Sequence, residues 1–363
     1  MKLTFPALLL CMVLVACSGQ PSQGPAYTAQ TATPSSAPAA SPSQSSPAAQ
    51  AASFGVLVTA PSAATYTVTL VGTDGHVAGT AQTSGFGGAL TCAGIASAVL
   101  PLPISTSNTR VYFMDNVGVV HYMNTQGQTG TIATLPHGNG VRSMFAVSPD
   151  DKRMSVVVST FSATSAHSTL YLYDLVAEML TTVYTQTSPS GLWPIGWHGG
   201  SLVLGITHAC TTGSAFGCCS PYELHLVDPV TAVRRFTIAG GSCTIAGPSA
   251  SAGTPCMDRT TQTVYVRDWV NVRLMSAPLN GAPVYLSPDG KRLVSPVQSN
   301  GDALLVRGDG KTPAMGVCGW IDGDTILAGG DVNTQPRVGS FVTGQVTPVA
   351  AQGECAGRIP GAL

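Results

Sequence analysis

Phe145-Ala146-Val147-Ser148-Pro149-Asp150-Asp151-Lys152-Arg153-Met154 returns later in the chain as Val284-Tyr285-Leu286-Ser287-Pro288-Asp289-Gly290-Lys291-Arg292-Leu293. In each copy two apolar runs flank one polar turn. Proline presets φ, the aspartate caps the turn through its side chain, Gly290 supplies a positive φ, and the Lys-Arg pair keeps the tip in water. The copies lie 287 − 148 = 139 residues apart, which is about 46 residues per unit if three units separate them. A second pair supports the repeat: Gly196-Trp197-His198-Gly199-Gly200-Ser201-Leu202 resembles Gly319-Trp320-Ile321-Asp322-Gly323-Asp324-Thr325-Ile326. Each reads as a strand ending in tryptophan, a glycine-rich turn and an aliphatic strand.

Outward from these copies the pattern stays all-β. Short runs of β-branched and aromatic residues, such as Val111 to Met114, Met154 to Ser159, Ser201 to Ile206 and Thr263 to Arg267, alternate with Gly, Asp, Asn and Pro turns. Tyr173 to Thr182 is long enough for a helix, but Asp174 sits where a turn would separate two strands, so it is read as a hairpin. The S-P-D-[DG]-K-R turn between strands resembles the motif of TolB-like propellers, from about Phe54 onward. That resemblance implies a β-propeller of about seven four-stranded blades, with six or eight left open, near 54–84, 88–135, 142–186, 193–239, 243–280, 283–312 and 316–350. It also implies a protein-interaction scaffold. Residues 351–363 are expected to close the first blade with a strand, which removes an open edge. Tyr173-Asp174 and Val227-Asp228 resemble WD-repeat strand endings, but the Gly-His and Trp-Asp pairs of a true WD repeat are missing.

The amino-terminal part predicts the address. Leu14-Val15-Ala16-Cys17 closes a short apolar run that follows Lys2, and it resembles the lipobox of bacterial lipoproteins. The run is too short to span a bilayer, which takes about 20 apolar residues. The resemblance implies a signal peptide over 1–16 and a lipidated Cys17; a cleaved secretory peptide with Cys17 in a disulfide is the alternative. Residues 18–53 are almost wholly Ser, Pro, Ala, Gln, Thr and Gly, and no charged residue occurs between Lys2 and Asp74. With Cys17 they form a predicted disordered tether, 17–53, whose root-mean-square span is on the order of 30 Å and whose stretched length is about 120 Å. The domain follows over 54–363. The expected location is the extracytoplasmic side of a cell membrane, attached through the lipid.

Charged residues are 9% of the chain, against roughly 25% in ordinary soluble domains. With 16 Lys and Arg against 17 Asp and Glu, no basic run exists to neutralise phosphates, so nucleic acid is not an expected partner. Beyond Cys11 and Cys17, eight cysteines remain: Cys92, Cys210, Cys218, Cys219, Cys243, Cys256, Cys318 and Cys355. An even count in an exported domain predicts disulfides. Sequence proximity favours Cys243 with Cys256, one of Cys218 or Cys219 with Cys210, and Cys318 with Cys355. His208, Cys210 and the Cys218-Cys219 pair lack the two C-x2-C knuckles of a zinc site, so no metal is expected.

Catalytic motifs are weak. Gly308-Asp309-Gly310-Lys311-Thr312 has Leu305 where a phosphate loop needs glycine, and it reads as a hairpin turn. No G-x-S-x-G elbow or H-E-x-x-H pattern occurs. The expectation is therefore a binding module for an envelope protein or extracellular ligand, with no catalytic residue and no cofactor. A surface carbohydrate-active enzyme is the alternative. It would need two or three channel-facing acids, whereas Asp150, Asp151, Asp289, Asp322 and Asp324 fall in predicted turns. Trp193, Trp197, Trp269 and Trp320 could line a sugar-binding face, but read better as packing between blades.

Overall fold

The computed structural model describes residues 52–86, 90–93, 96–98, 100–138, 140–210, 221–240, 243–258, 260–278, 283–296 and 302–363. The expected signal peptide, Cys17, nearly all of the expected tether, Cys218 and Cys219 lie outside the described residues.

Seven antiparallel sheets follow one another along the chain as the blades of a propeller. Blade 1 holds Phe54–Val58, Thr65–Gly72 and Val77–Ser84, and its inner strand is Glu354–Ile359 from the far end of the sequence. Glu354–Ile359 pairs with Phe54–Val58, Phe54 standing opposite Ile359. The ring is thus closed by a strand, as the sequence predicted. Blades 2 to 7 occupy 104–134, 141–188, 190–239, 244–278, 285–307 and 319–348. Contacts between inner strands run from Glu354–Ile359 to Ile104–Thr106 on one side and to Gly319–Trp320 on the other. The region 173–182 is a hairpin junction, Ala166–Asp174 pairing with Met179–Ser188.

The core explains the strand composition. The buried apolar residues fall into seven clusters, and each joins two neighbouring blades. Met144, Val157 and Leu170 of blade 3, for example, pack on Leu192, Trp197 and Leu202 of blade 4. A blade in such a stack is covered on both faces, so its second strand is buried at nearly every position instead of at alternate ones. Ser201–His208 is buried at seven successive positions, and Phe54–Val58 throughout.

The two repeated turns are alike to the atom. Ser148 Oγ donates to Asp150 Oδ1 at 2.6 Å and accepts from Arg153 N at 2.9 Å; Ser287 Oγ donates to Asp289 Oδ1 at 2.7 Å and accepts from Arg292 N at 2.9 Å. Gly290 has the expected positive φ of 73°, and Asp151, its counterpart, holds φ 61°. Aspartate tolerates that region better than most residues. Here its carboxylate also reaches blade 2, accepting from Tyr112 OH at 2.6 Å and Thr109 Oγ1 at 2.5 Å. The two repeated tryptophans also match. Trp197 Nε1 donates to Ala146 O at 2.9 Å and Trp320 Nε1 to Tyr285 O at 3.0 Å, each on the inner strand of the preceding blade.

Two expectations are corrected. Cys210 pairs with Cys92, 118 residues away, and not with Cys218 or Cys219. A ring brings a loop of blade 4 beside the hairpin Leu90–Ala93 and Ala96–Ala98, so nearness in sequence misleads. The other two bridges, Cys243–Cys256 and Cys318–Cys355, are those expected. Three strands of blade 6, Tyr285–Leu286, Leu293–Pro296 and Ala303–Arg307, fall among the described residues, in line with the expected propeller of about seven blades. Residues 308–312 form no hairpin: the chain bends at Gly308 (φ 113°) and Gly310 (φ 120°), and Ala303 N then donates to Met315 O at 2.5 Å. An irregular segment therefore runs beside the last strand of blade 6.

Candidate functional site: a channel closed at one end

Inner strands of blades 1, 2, 4, 5, 6 and 7 contribute to the lining of a central cavity of about 710 Å³. Its wall is mainly apolar, with Leu102, Ile104, Ile195, Ile245, Met257 and Trp320 among the lining residues. Glycines keep it wide. A Cβ at Gly319 would meet Cys355 Sγ at 3.4 Å, and one at Gly196 would stand 2.7 Å from Leu363 Cδ1. Polar groups are few: Ser105, Thr106, Ser249, Tyr285 and Arg358 face the same space. Arg358 is the one charged side chain among the described lining residues.

One end of the channel is filled by residues 360–363, where the inner strand of blade 1 gives way at Pro360. Proline has no N–H for a sheet ladder. Gly361 N donates to Ser107 O at 2.8 Å in blade 2, and Leu363 N to Trp197 O at 3.0 Å in blade 4. His198 Nδ1 donates to Leu363 O, with its ring stacked on Trp269 at 4.9 Å. Ser251 Oγ of blade 5 donates to Ala362 O at 2.8 Å. Arg358 ties the group together, donating to Pro360 O, to Ala362 O at 3.1 Å and to Ser251 Oγ at 2.6 Å. Burial pulls the Arg358 guanidinium down to about 10, with Asp322 opposing the shift. The floor is thus a network of main-chain carbonyls around one desolvated cation.

The residues singled out in the sequence fall elsewhere. Asp150 and Asp289 cap their turns, and the Ser148 hydroxyl holds the Asp150 carboxyl below the usual range. Asp322 accepts from Asp324 N at 2.9 Å within its own turn. Trp193, Trp197, Trp269 and Trp320 are all buried in the clusters between blades, and Trp320 also contributes to the channel wall. Among the described residues no group of three His, Cys, Asp or Glu is arranged to hold a metal ion. The sequence reading missed Arg358, His198, Ser251 and the path of 360–363. Its one available signal was Pro360, which cannot continue a sheet ladder and directly follows Ile359.

No family model matches the chain, and no curated protein matches it. Solved structures similar to it include TolB from Acinetobacter baumannii, at 12% identity over 85% of this chain and 66% of that one, with a TM-score of 0.38. The β-propeller domain of the Trilobed protease from Pyrococcus furiosus is similar at 13% identity, 82% and 96% coverage and a TM-score of 0.38. Dipeptidyl peptidase 4 from Porphyromonas gingivalis is similar at 10% identity, 79% and 49% coverage and a TM-score of 0.46. The chain therefore spans just under two thirds of that TolB and about half of that peptidase.

Proposed function

We propose that this chain is a lipid-anchored, extracytoplasmic binding module that captures an envelope protein or extracellular ligand in its central channel and leaves it chemically unchanged. The observation that carries this reading is the channel: one large, mainly apolar cavity, closed at one end, with a few convergent polar groups, which is the usual character of a binding site. The lipobox at 14–17 and the uncharged tether favour display away from a membrane surface. Asp150, Asp289 and Asp322 lie in turns, where backbone N–H groups and hydroxyls engage them. A glycosidase would instead set two carboxyl groups roughly 5–10 Å apart across the scissile bond.

The test is an assay of the purified protein against peptide, ester and glycan substrates. No turnover above buffer is expected. Turnover abolished by an Asp→Asn or Glu→Gln change would replace the binding module with the surface enzyme.

A further inference from the structure

The channel floor shows, in the molecule itself, how it holds a peptide. Over three residues, 361–363, four main-chain groups find partners. Gly361 N and Leu363 N donate to Ser107 O and Trp197 O, while Ala362 O and Leu363 O accept from Ser251, Arg358 and His198. The Leu363 side chain packs against the apolar cluster of Val203, Leu224 and Ile238. It stands over Gly196, where a side chain would collide with it. These contacts read the backbone and one apolar side chain, so they do not depend on the segment belonging to the same chain. The Arg358 guanidinium is engaged by the floor itself.

We propose that the floor of the channel is a peptide-binding subsite filled in cis by residues 361–363, and that its ligand in trans is an extended, uncharged peptide bearing a small residue followed by a leucine-sized side chain. This rests on the channel being the binding site. A tethered segment acts at an effective concentration on the order of millimolar. It lowers the apparent affinity of a competitor by the fraction of molecules whose floor is open.

The experiment titrates full-length protein into a fluorescein-labelled, amidated pentapeptide Ile-Pro-Gly-Ala-Leu and reads fluorescence polarisation. Deletion of 361–363 should tighten binding at least tenfold over wild type. Gly196→Val in the deletion background should abolish it, and a competitor with Asp in place of Leu should not compete. Equal affinity of the wild type and the deletion variant, or no saturable binding by a deletion variant that still melts cooperatively, would overturn the proposal. If the deletion prevents folding, Leu363→Ala carries the test: binding at least threefold tighter than wild type supports it, and unchanged binding overturns it. Photo-crosslinking from the other mouth of the channel separates the two ideas. Crosslinks there without peptide binding would remove only the peptide subsite, whereas peptide binding without crosslinks would count against ligand capture in the cell.

Discussion

Breaking the Cys318–Cys355 bridge should loosen the propeller where its ring closes. Cys355 lies on the inner strand of blade 1, opposite Leu57, and Cys318 immediately precedes the inner strand of blade 7. The bridge therefore staples the closing strand to the neighbouring blade. It closes a loop of 37 residues, for which loop entropy gives about 4 kcal/mol of stabilisation. A body of about 310 residues unfolds with an entropy near 0.65 kcal/mol/K, so the double variant Cys318→Ala/Cys355→Ala should melt about 6 °C lower. Hydrogen exchange should localise the effect, with amides of 354–359 exchanging faster relative to those of 65–72 in the middle of blade 1. A melting point within 1 °C of wild type, or unchanged protection of 354–359, would refute the assignment of this bridge as the staple of the ring.

Radiolabelled fatty acid should enter the wild type and not Cys17→Ala, which should also leave the membrane fraction; equal labelling of both would remove the anchor. Trp197→Phe should cost about 1 kcal/mol in denaturant titration, because Ala146 O loses one buried donor and keeps Ser155 Oγ, and a loss below 0.5 kcal/mol would show that the bond between blades is dispensable. Burial and the nearby Arg142 hold His137 below its ordinary 6.5, and its Nδ1 is buried without a hydrogen-bond partner. The unfolded chain therefore binds the proton more readily, and the stability owed to this group is complete above about pH 6.5 and declines as the pH falls below it. The melting point of the wild type should thus fall more between pH 7.5 and 5.5 than that of His137→Phe, and parallel falls would contradict the assignment.

What the sequence made legible was local. The Ser-Pro-Asp turns and the Gly-Trp strand ends are each fixed within about ten residues by φ preferences and hydroxyl caps, so their repetition exposed the blade period. The resemblance those turns carry implied a propeller of about seven blades, with six or eight left open, closed by a strand from the tail. What stayed hidden depends on the ring as a whole. Cys92 and Cys210 meet only because a hairpin outside the blades reaches a loop of blade 4. The floor collects Ser107, Trp197, His198 and Ser251 from three blades, and no spacing in the chain announces that convergence. Gly308 and Gly310 suggested a hairpin, but Lys311 N is drawn to Phe341 O of blade 7 at 2.7 Å, and this tertiary bond outweighs the local turn preference.

Ligand capture in the channel is tested most directly by photo-crosslinking on intact cells, with p-benzoylphenylalanine placed at Leu102 or at Val176. Leu102 lines the cavity, just ahead of the inner strand Ile104–Thr106 that leads to Ser107 at the floor. Val176 is 76% exposed at an outer turn of blade 3. Capture in the channel predicts a discrete adduct from position 102 and none from position 176. An adduct of equal yield from both positions, or from 176 alone, would contradict it.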